Sequence, residues 1–488
     1  MRVRGRTSVA CVAAALAIIV WTSLVRGSWM APRLIFPSAG PPWELTSHVS
    51  PHLIVAMLWA AAVLGGVGVL AGLLAVRRGT PVPIRTLLVL AALAVAVLTV
   101  LPPAGSTDML DYATFGHIAA AGHSPYRMTP LQFKQLHPQL GISVPYEWEH
   151  VPSPYGPLAI WEQLLAARLA GASMARTVFW LRLANAVAFA AVGFAADRTM
   201  RADPAGRVRA HLLWTANPLL IWTLIAAGHL DVLSAAAGLA GLLVLARRSP
   251  ASPYLSALAA GALIGVAADI KATFLLFGVG VAWALRRAPG QALLAALGAA
   301  LVLVPSYALA GRGALHATLA GAGNDSIARQ DHSGPYVSLL GHLGLHHVTA
   351  WYSLIVPVVL ILVLAVLGLW RLPENQASGA AVRAALALAL PWLLLWPHLH
   401  EWYLTMAICL LAVFPAAASL DWLVIPWLTL SVVLGMPGNP ALHMGSVLGV
   451  VHKDTKHYLG LLPLIVVSVG FVALCLTRRW RHPAAPAS

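Results

Sequence analysis

The chain has 488 residues, of which 59% are hydrophobic and only 10% are charged, and its mean hydropathy is +0.80. Because a soluble domain carries about 25% charged residues, this composition excludes an ordinary soluble protein and predicts an integral membrane protein. The net charge of +15 would suggest nucleic acid in a soluble protein. Here the arginines form short clusters between apolar runs, a pattern that orients spans, so we predict no nucleic-acid partner.

Apolar runs recur along nearly the whole chain, and a membrane span needs roughly 20 apolar residues. The predicted helices cover about 8–25, 52–76, 86–102, 174–196, 209–227, 231–246, 254–269, 271–285, 291–310, 349–370, 381–397, 402–418, 422–436 and 458–476. A cytoplasmic N-terminus then places every arginine cluster in the cytoplasm. We predict an all-α polytopic protein of the plasma membrane with about thirteen to fourteen spans, a first helix that is retained rather than cleaved, one domain over 1–477 and a basic cytoplasmic tail at 478–488.

A polar segment at 103–156 interrupts this pattern and falls on the outer side of the membrane. It holds four of the sixteen acidic residues, Asp108, Asp111, Glu147 and Glu149. A long acidic and aromatic loop between spans points to chemistry or binding. The apolar stretch 157–171 is short, and we expect it to lie at the interface or to re-enter the membrane rather than to span it.

Asp108 and Asp111 are three residues apart just beyond a predicted span. If a helix continues there, both face one side, and one of them is a candidate general base, a role worth about 10²–10⁴ in rate. Two close carboxylates would raise the pKa of one of them. The alternative is that they cap the start of a helix after Gly105, Ser106 and Thr107.

Two further polar breaks lie between apolar runs. His229 and Asp231 could orient a substrate or ligate a metal, or Asp231 could only cap the next helix after a tight turn. Lys271 interrupts another apolar stretch and needs a counter-charge, since a lysine at the membrane centre costs about 2.5–3.5 kcal/mol. Asp269 could supply that charge, and so could a lipid phosphate. Upstream, Asn217-Pro218 is expected to kink or open a helix.

The segment from His398 to Tyr403 joins two predicted spans on the outer side. His398, His400 and Glu401 could bind a divalent metal, but a short polar turn with an aromatic belt accounts for them as well. Trp402 and Tyr403 are candidates for stacking on a sugar.

Taken in order, these segments resemble a known family. Asp108-x-x-x-Tyr112-Ala113, Gly116, Gly122-x-x-Pro125-Tyr126 and Ser153-Pro154-Tyr155-Gly156-Pro157-Leu158 are similar to the first outer loop of actinobacterial polyprenol-phosphate-mannose-dependent α-1,6-mannosyltransferases. Asn217-Pro218-Leu219, Gly228-His229-x-Asp231, Lys271-x-Thr273 and Trp402-Tyr403 are similar to later segments of that family. The chain departs from the pattern at His117, where the family usually has Arg, and at Leu230, where it usually has Asn.

The resemblance implies a C-type glycosyltransferase fold that takes a polyprenyl-phosphate sugar at the outer membrane face and requires an acid in the outer loop, here Asp108. That carboxylate would deprotonate an acceptor hydroxyl for one in-line displacement with inversion, and Asp111 would assist it. Lys271 and Arg127 would stabilise the departing phosphate. The candidate substrate-binding residues are Tyr112, His117, Tyr126, Tyr155, His229, Asp231, His400, Glu401, Trp402 and Tyr403.

The partners expected from this mechanism are the lipid-linked donor, a cell-envelope glycan or glycolipid acceptor and the lipid bilayer. The sequence identifies no cofactor, and a divalent metal is compatible with the acidic and histidine groups. Three alternatives stay open: a transferase for another lipid-linked sugar such as arabinose, a lipid-linked sugar transporter or flippase, and a catalytically silent relative.

Overall fold

The computed structural model describes residues 3–26, 40–43, 45–46, 49–140, 148–247, 252–322, 343, 350–373, 379–396, 400–435, 459 and 461–477. Its regular structure is helical apart from one parallel ladder of two residues, in which Val25–Arg26 pairs with Leu45–Thr46. The predicted class, an all-α polytopic membrane protein, is confirmed. His398, Glu147 and the predicted basic tail at 478–488 lie outside the described residues.

The helices follow one another with short connections over most of the chain. They are α1 Val3–Leu24, α2 Pro51–Arg77, α3 Ile84–Val100, α4 Asp108–Ala120, α5 Pro130–Leu136, α6 Pro157–Ala170, α7 Met174–Thr199, α8 Pro204–Leu213, α9 Pro218–Leu220, α10 Asp231–Ala246, α11 Pro253–Ile270, α12 Leu276–Leu285, α13 Pro289–Ala310, α14 Arg312–Ala322, α15 Ala350–Arg371, α16 Gly379–Leu395, α17 Thr405–Ala412, α18 Asp421–Gly435 and α19 Leu462–Thr477. A π-helix continues α9 over Ile221–Ala226, and 3-10 turns occupy Pro138–Leu140, Ala272–Leu275, Glu401–Leu404 and Pro415–Leu420.

Fewer of these helices are full-length spans than the apolar runs predict. Among the described residues, six are long and apolar enough to cross a membrane: α1, α2, α7, α11, α13 and the stretch Pro415–Gly435. A seventh results if α8 to the π-helix and α10, bent by 118° at their break, form one span. Other predicted spans, such as α3 and α16, form apolar helices of 10–17 residues. The predicted number of thirteen to fourteen therefore stays a prediction.

Helix breaks occur where the sequence interrupts its apolar pattern. The predicted helix 209–227 breaks at Pro218, which has no N–H to donate to the preceding turn. Asn217 caps the new start, because its Oδ1 accepts a hydrogen bond from the Leu219 N–H at 3.1 Å. The kink expected at Asn217-Pro218 is thus present, and it sets the direction from which the chain approaches His229.

The polar segment 103–156 contains helical structure rather than an open loop. α4 and α5 pack with α6 and the first part of α7 around a second, smaller hydrophobic core that includes Tyr112, Phe115, Phe133, Ile160 and Val178. α6, with 14 residues, is too short to span a bilayer, as its length in the sequence indicates. This small core holds the start of α4 against the membrane bundle.

A buried ion pair joins two distant parts of the larger bundle. The Arg209 guanidinium on α8 donates to both carboxylate oxygens of Asp421 at the start of α18, each at 2.6 Å, and to the Leu411 carbonyl at 2.8 Å. Both side chains are almost fully buried. Bidentate geometry of this kind offsets part of the cost of removing the two charges from water.

We expect Asp421→Asn to destabilise the protein by about 3–5 kcal/mol, because it leaves the buried Arg209 charge without a counter-charge. The measurement is the midpoint of thermal unfolding in detergent. The double variant Arg209→Met/Asp421→Leu, which removes both charges, is the control and should recover most of the loss. Equal midpoints for wild type and Asp421→Asn would show that the pair does not contribute.

Candidate active site

Four breaks between helices meet at one end of the bundle. They are the turn before α4, the turn before α10, the turn between α11 and α12, and the 3-10 turn Glu401–Leu404. Each break contributes a polar or aromatic side chain that the sequence singles out. Their contacts, described below, join Asp108, His229, Asp231, Lys271 and Trp402 into one cluster.

Asp108 is the first residue of α4 and the most accessible carboxylate of this cluster. Its Oδ1 accepts a hydrogen bond from the Ser106 hydroxyl at 3.0 Å, and its Oδ2 lies 3.5 Å from His229 Nδ1, an ion-pair contact longer than a well-formed hydrogen bond. The Asp108 side chain is 19% exposed, whereas the His229 side chain is 0% exposed. The Asp108 carboxylate is therefore accessible to a substrate, while the buried His229 ring contacts it from within the protein.

Asp108 and Asp111, the predicted base and its helper, differ in exposure. Asp111 lies one turn further along α4 and is buried at 5% exposure. The helix begins after Thr107, whose side chain forms no cap, so neither aspartate is the N-cap residue. The structure thus leaves Asp108 partly exposed and buries Asp111.

Opposing effects act on the pKa of Asp108. Burial raises it, but the contact with His229, the charge of His400 and the Ser106 hydrogen bond lower it by more. The net pKa lies below the ordinary value of 3.8. Asp108 is consequently a carboxylate at neutral pH and can accept a proton.

Lys271 pairs with Asp231 rather than with its sequence neighbour Asp269. The ammonium Nζ lies 2.7 Å and 2.8 Å from the two carboxylate oxygens of Asp231, and it sits 3.9 Å above the centre of the Tyr403 ring. The Lys271 side chain is 10% exposed and that of Asp231 is 1% exposed. The sequence left Asp269 and a lipid phosphate open as partners of Lys271. Asp269 does not pair with it: α11 ends at Ile270, and the Asp269 carboxylate bonds Leu158 and Ser306 instead.

Asp269 binds the start of α6 instead of Lys271. Its Oδ1 accepts a hydrogen bond from the Leu158 N–H at 2.9 Å, and its Oδ2 accepts one from the Ser306 hydroxyl. A carboxylate at a helix N-terminus satisfies an N–H that has no intrahelical partner. Asp269 therefore attaches α6 to the end of α11 beside Lys271.

Aromatic rings build one wall of the cluster. The His229 ring stacks on Trp402 with 3.5 Å between ring centres, and His400 stacks on Trp402 at 4.3 Å. Tyr403 lies edge-on to both His400 and Trp402. Among the described residues, no group of three His, Cys, Asp or Glu side chains is placed to hold a metal ion. The stacked rings give the segment from His400 to Tyr403 an aromatic face.

Tyr112 and Tyr155 form a pair next to Asp108. Their hydroxyl oxygens are 3.3 Å apart and their rings meet edge to face at 5.2 Å. Burial raises the pKa of both hydroxyls, and the nearby Asp108 charge raises it further, so both stay protonated and can donate hydrogen bonds.

Of the remaining sequence candidates, His117, Tyr126 and Arg127 have their contacts elsewhere, and Glu401 lies in the turn that carries Trp402. His117 is buried and its Nε2 lies 3.0 Å from the Thr177 hydroxyl, between α4 and α7. Tyr126 is buried in the smaller core. Arg127 lines an open depression of about 650 Å³ together with His123, Met128 and Gln132 among others. Glu401 is buried beside Gly435.

Sequence reasoning missed three polar residues close to the cluster: Ser106, Arg182 and Asn185. Ser106 bonds Asp108 directly. Arg182 and Asn185 lie in the apolar run 174–196, and a charged residue inside such a run is a signal of function that was available in the sequence.

A glycine is required where the chain enters α6. A methyl group on Gly156 would lie 1.6 Å from the backbone oxygen of Asp269, so α6 and α11 could not keep their separation.

We expect Gly156→Ala to destabilise the protein by about 1–3 kcal/mol or more through overpacking. Gly290→Ala on α13 is the matched control, because its methyl group would meet only Tyr254 at 3.7 Å. Thermal unfolding in detergent should show a lower midpoint for Gly156→Ala but not for Gly290→Ala. A wild-type midpoint for Gly156→Ala would contradict the close approach of Gly156 to Asp269.

Comparison with known proteins connects this site to a family. The family model described as alpha-(1->6)-mannopyranosyltransferase, N-terminal domain, matches residues 8–287, more than half of the chain. This range includes Asp108, His229, Asp231 and Lys271.

Curated relatives agree with that match over shorter stretches. A probable alpha-(1->6)-mannopyranosyltransferase of Mycolicibacterium smegmatis is 33% identical over 144 residues, which cover 30% of this chain and 26% of the relative. An alpha-(1->6)-mannopyranosyltransferase of Mycobacterium tuberculosis is 32% identical over 136 residues, 28% of this chain and 23% of the relative. Alpha-(1->6)-mannopyranosyltransferase B of Corynebacterium glutamicum is 30% identical over 135 residues, 28% of this chain and 22% of the relative.

The matched stretches thus span about a quarter of the length of these relatives. The family model, the ordered motifs and the helical membrane fold point to the same group of proteins. The chain belongs to the alpha-(1->6)-mannopyranosyltransferase family.

Proposed function

We propose that the protein transfers a mannosyl residue from a polyprenyl-phosphate donor to a cell-envelope glycan or glycolipid, with inversion, at the outer face of the membrane. The relatives are named as mannopyranosyltransferases, which supports the sugar and the reaction class. The observation that carries the proposal is the meeting of Asp108, the Asp231–Lys271 pair and the Trp402 wall at one end of the bundle.

Asp108 is the proposed general base. It is the carboxylate of the cluster with the largest exposed fraction, its proton is absent at neutral pH, and two neighbours orient it. Removal of the acceptor proton during attack on the sugar carbon would leave the proton on Asp108 and the electron pair on the departing phosphate oxygen. One such displacement inverts the configuration, so a β-linked mannosyl donor would give an α product.

Lys271 is the proposed cation for the leaving phosphate. Asp231 and the Tyr403 ring fix the position of the ammonium, and about a tenth of the side chain is exposed. A preorganised positive charge of this kind stabilises the negative charge that develops on a leaving oxygen. Arg127, the second predicted phosphate ligand, lies against the start of α14 near Gly313, so in this conformation it is a ligand only for a donor that reaches the depression.

The opposite end of the bundle supports the placement at the outer face. Arg207, Arg247 and Arg383 interact there with Asp197, Thr199 and the Leu369 carbonyl, at the helix ends remote from Asp108. Arginine clusters favour the cytoplasmic side, so the Asp108 end would face outward, away from nucleotide-sugars. A site on that side of the membrane would need a lipid-linked donor, because nucleotide-sugars are on the cytoplasmic side.

We expect Asp108→Asn to reduce mannosyl transfer by about 10²–10⁴-fold, since the amide cannot accept the acceptor proton. Membranes containing the variant are incubated with labelled polyprenyl-phosphate mannose, and label is followed into glycan and glycolipid. Asp203→Asn, which alters a helix cap at the other end of the bundle, is the matched control and should retain transfer.

Transfer by a folded Asp108→Asn protein at the wild-type rate would overturn the base assignment. Movement of the lipid-linked sugar across the membrane without a new glycosidic bond would instead identify a transporter. Label from polyprenyl-phosphate arabinose alone would identify a transferase for another sugar.

We expect His229→Phe to shift the acidic limb of the pH–rate profile to higher pH. The substitution retains a ring against Trp402 but removes the contact that most lowers the pKa of Asp108, while burial continues to raise it. In the wild type the base is ionised, and therefore active, above a pKa that lies below 3.8, and its activity is lost as the pH falls through that pKa. In the variant the same loss should begin at a higher pH.

The measurement is kcat/KM against pH for both proteins, with thermal unfolding followed over the same pH range as a control for folding. An unchanged acidic limb in a folded His229→Phe protein would contradict the role given to the Asp108–His229 contact.

A further inference from the structure

Two polar residues of α7 face the candidate site from inside the membrane bundle. Arg182 is 0% exposed and Asn185 is 2% exposed. They are three positions apart on one helix and so share a face. Among the residues that the structure describes, no carboxylate lies within ion-pair distance of Arg182. A buried charge without a counter-ion needs another reason to be there.

Their partners are backbone carbonyls at two chain breaks. The Asn185 side-chain amide donates to the carbonyls of Leu224 and His229, each at 3.2 Å. The Arg182 Nε donates to the Ile225 carbonyl at 3.0 Å, and its Nη1 donates to the Leu101 carbonyl. Four bonds from one helix face therefore hold two separate segments.

Helix ends explain why these carbonyls need donors. The π-helix Ile221–Ala226 stops before Gly228, whose φ of +85° reverses the chain toward His229. The last carbonyls of a helix have no intrahelical donor and carry the negative end of the helix dipole. In a bundle interior no bulk water replaces the missing donor. The Arg182 guanidinium donates hydrogen bonds to these carbonyls, and its positive charge opposes the negative end of the helix dipole.

The two held segments lead directly to the proposed catalytic pair. Leu101 directly follows α3, and the chain reaches Asp108 a few residues later. Leu224 and Ile225 lie in the last turn of the π-helix, and His229 follows soon after Ala226, where that helix ends. A further hydrogen bond from the Ala104 N–H to the Ala226 carbonyl, 2.9 Å long, joins the same two segments.

We propose that Arg182 and Asn185 are positioning residues for the transfer reaction. We name them the α7 clamp. The clamp holds the backbone before Asp108 against the backbone before His229 and thereby sets the contact between those two side chains. This inference rests on the proposed role of Asp108 and adds residues that touch neither the donor nor the acceptor.

The planar guanidinium is essential to this geometry because it reaches two carbonyls from different segments at once. A lysine ammonium carries the same charge but lacks the fixed fork of donors. Arg182→Lys should therefore fail to replace arginine, whereas a purely electrostatic requirement would be met by either residue.

The test compares Asn185→Leu and Arg182→Lys with wild type in the labelled-mannose assay. A displacement of about 1 Å at a reacting group can cost about 10²-fold in rate, so we expect kcat to fall about 10–100-fold with little change in KM for the donor. The acidic limb of the pH–rate profile should move to higher pH in both variants. Combining Asn185→Leu with His229→Phe should add little to the effect of His229→Phe alone.

Thr199→Val is the matched control, since it removes a polar group from the far end of α7, where Thr199 bonds Ala195 and Arg247. It should leave the pH profile unchanged. Thermal unfolding in detergent verifies that each variant is folded, and Asn185→Ala replaces Asn185→Leu if the larger side chain prevents folding.

A wild-type kcat and acidic limb in folded Asn185→Leu and Arg182→Lys proteins would overturn the clamp. A rate loss without a shift of the limb, additive with that of His229→Phe, would overturn it too, because it would indicate a general loss of packing. Activity in Asp108→Asn would contradict the proposed function itself, so the two failures are distinguishable.

Discussion

The ion pair between Asp231 and Lys271 is the constraint around which the site is organised. Lys271 follows the last residue of α11 and Asp231 begins α10, so the pair joins two helix breaks within the bundle. A membrane interior supplies neither water nor counter-ions, and each of these charges would be costly without the other. The breaks must therefore meet, and the Tyr403 ring over the ammonium adds a third segment.

Around this pair the site divides into a fixed part and an accessible part. His229, Asp231 and the stacked Trp402 are held by neighbours and contribute position. Of the two paired carboxylates in this cluster, Asp108 has a 19% exposed side chain and Asp231 a 1% exposed one. The exposed fraction thus distinguishes two aspartates that residue type does not. Asp231 is a buried counter-charge, and Asp108 is a candidate base.

Several residues of the candidate site could be predicted because a polar group inside an apolar run has few structural explanations. Asp108, His229, Lys271 and Trp402 were found in this way, and they lie together. The sequence left the partner of Lys271 open between Asp269 and a lipid phosphate, and Asp231 was not predicted, because the carboxylate of Asp269 bonds Leu158 and Ser306 instead. Arg182 and Asn185 were overlooked because the run around them reads as an ordinary span.

By itself, the sequence determined the membrane-embedded helical class, the polar breaks and the resemblance to the mannosyltransferase family, because these follow from local composition and ordered motifs. Only the tertiary structure decided which charge meets which, that Asp111 is buried while Asp108 is partly exposed, and that carbonyls at two helix ends share donors on α7. Such pairings join residues far apart in the chain, and a linear pattern carries no information about which breaks come together when the helices pack.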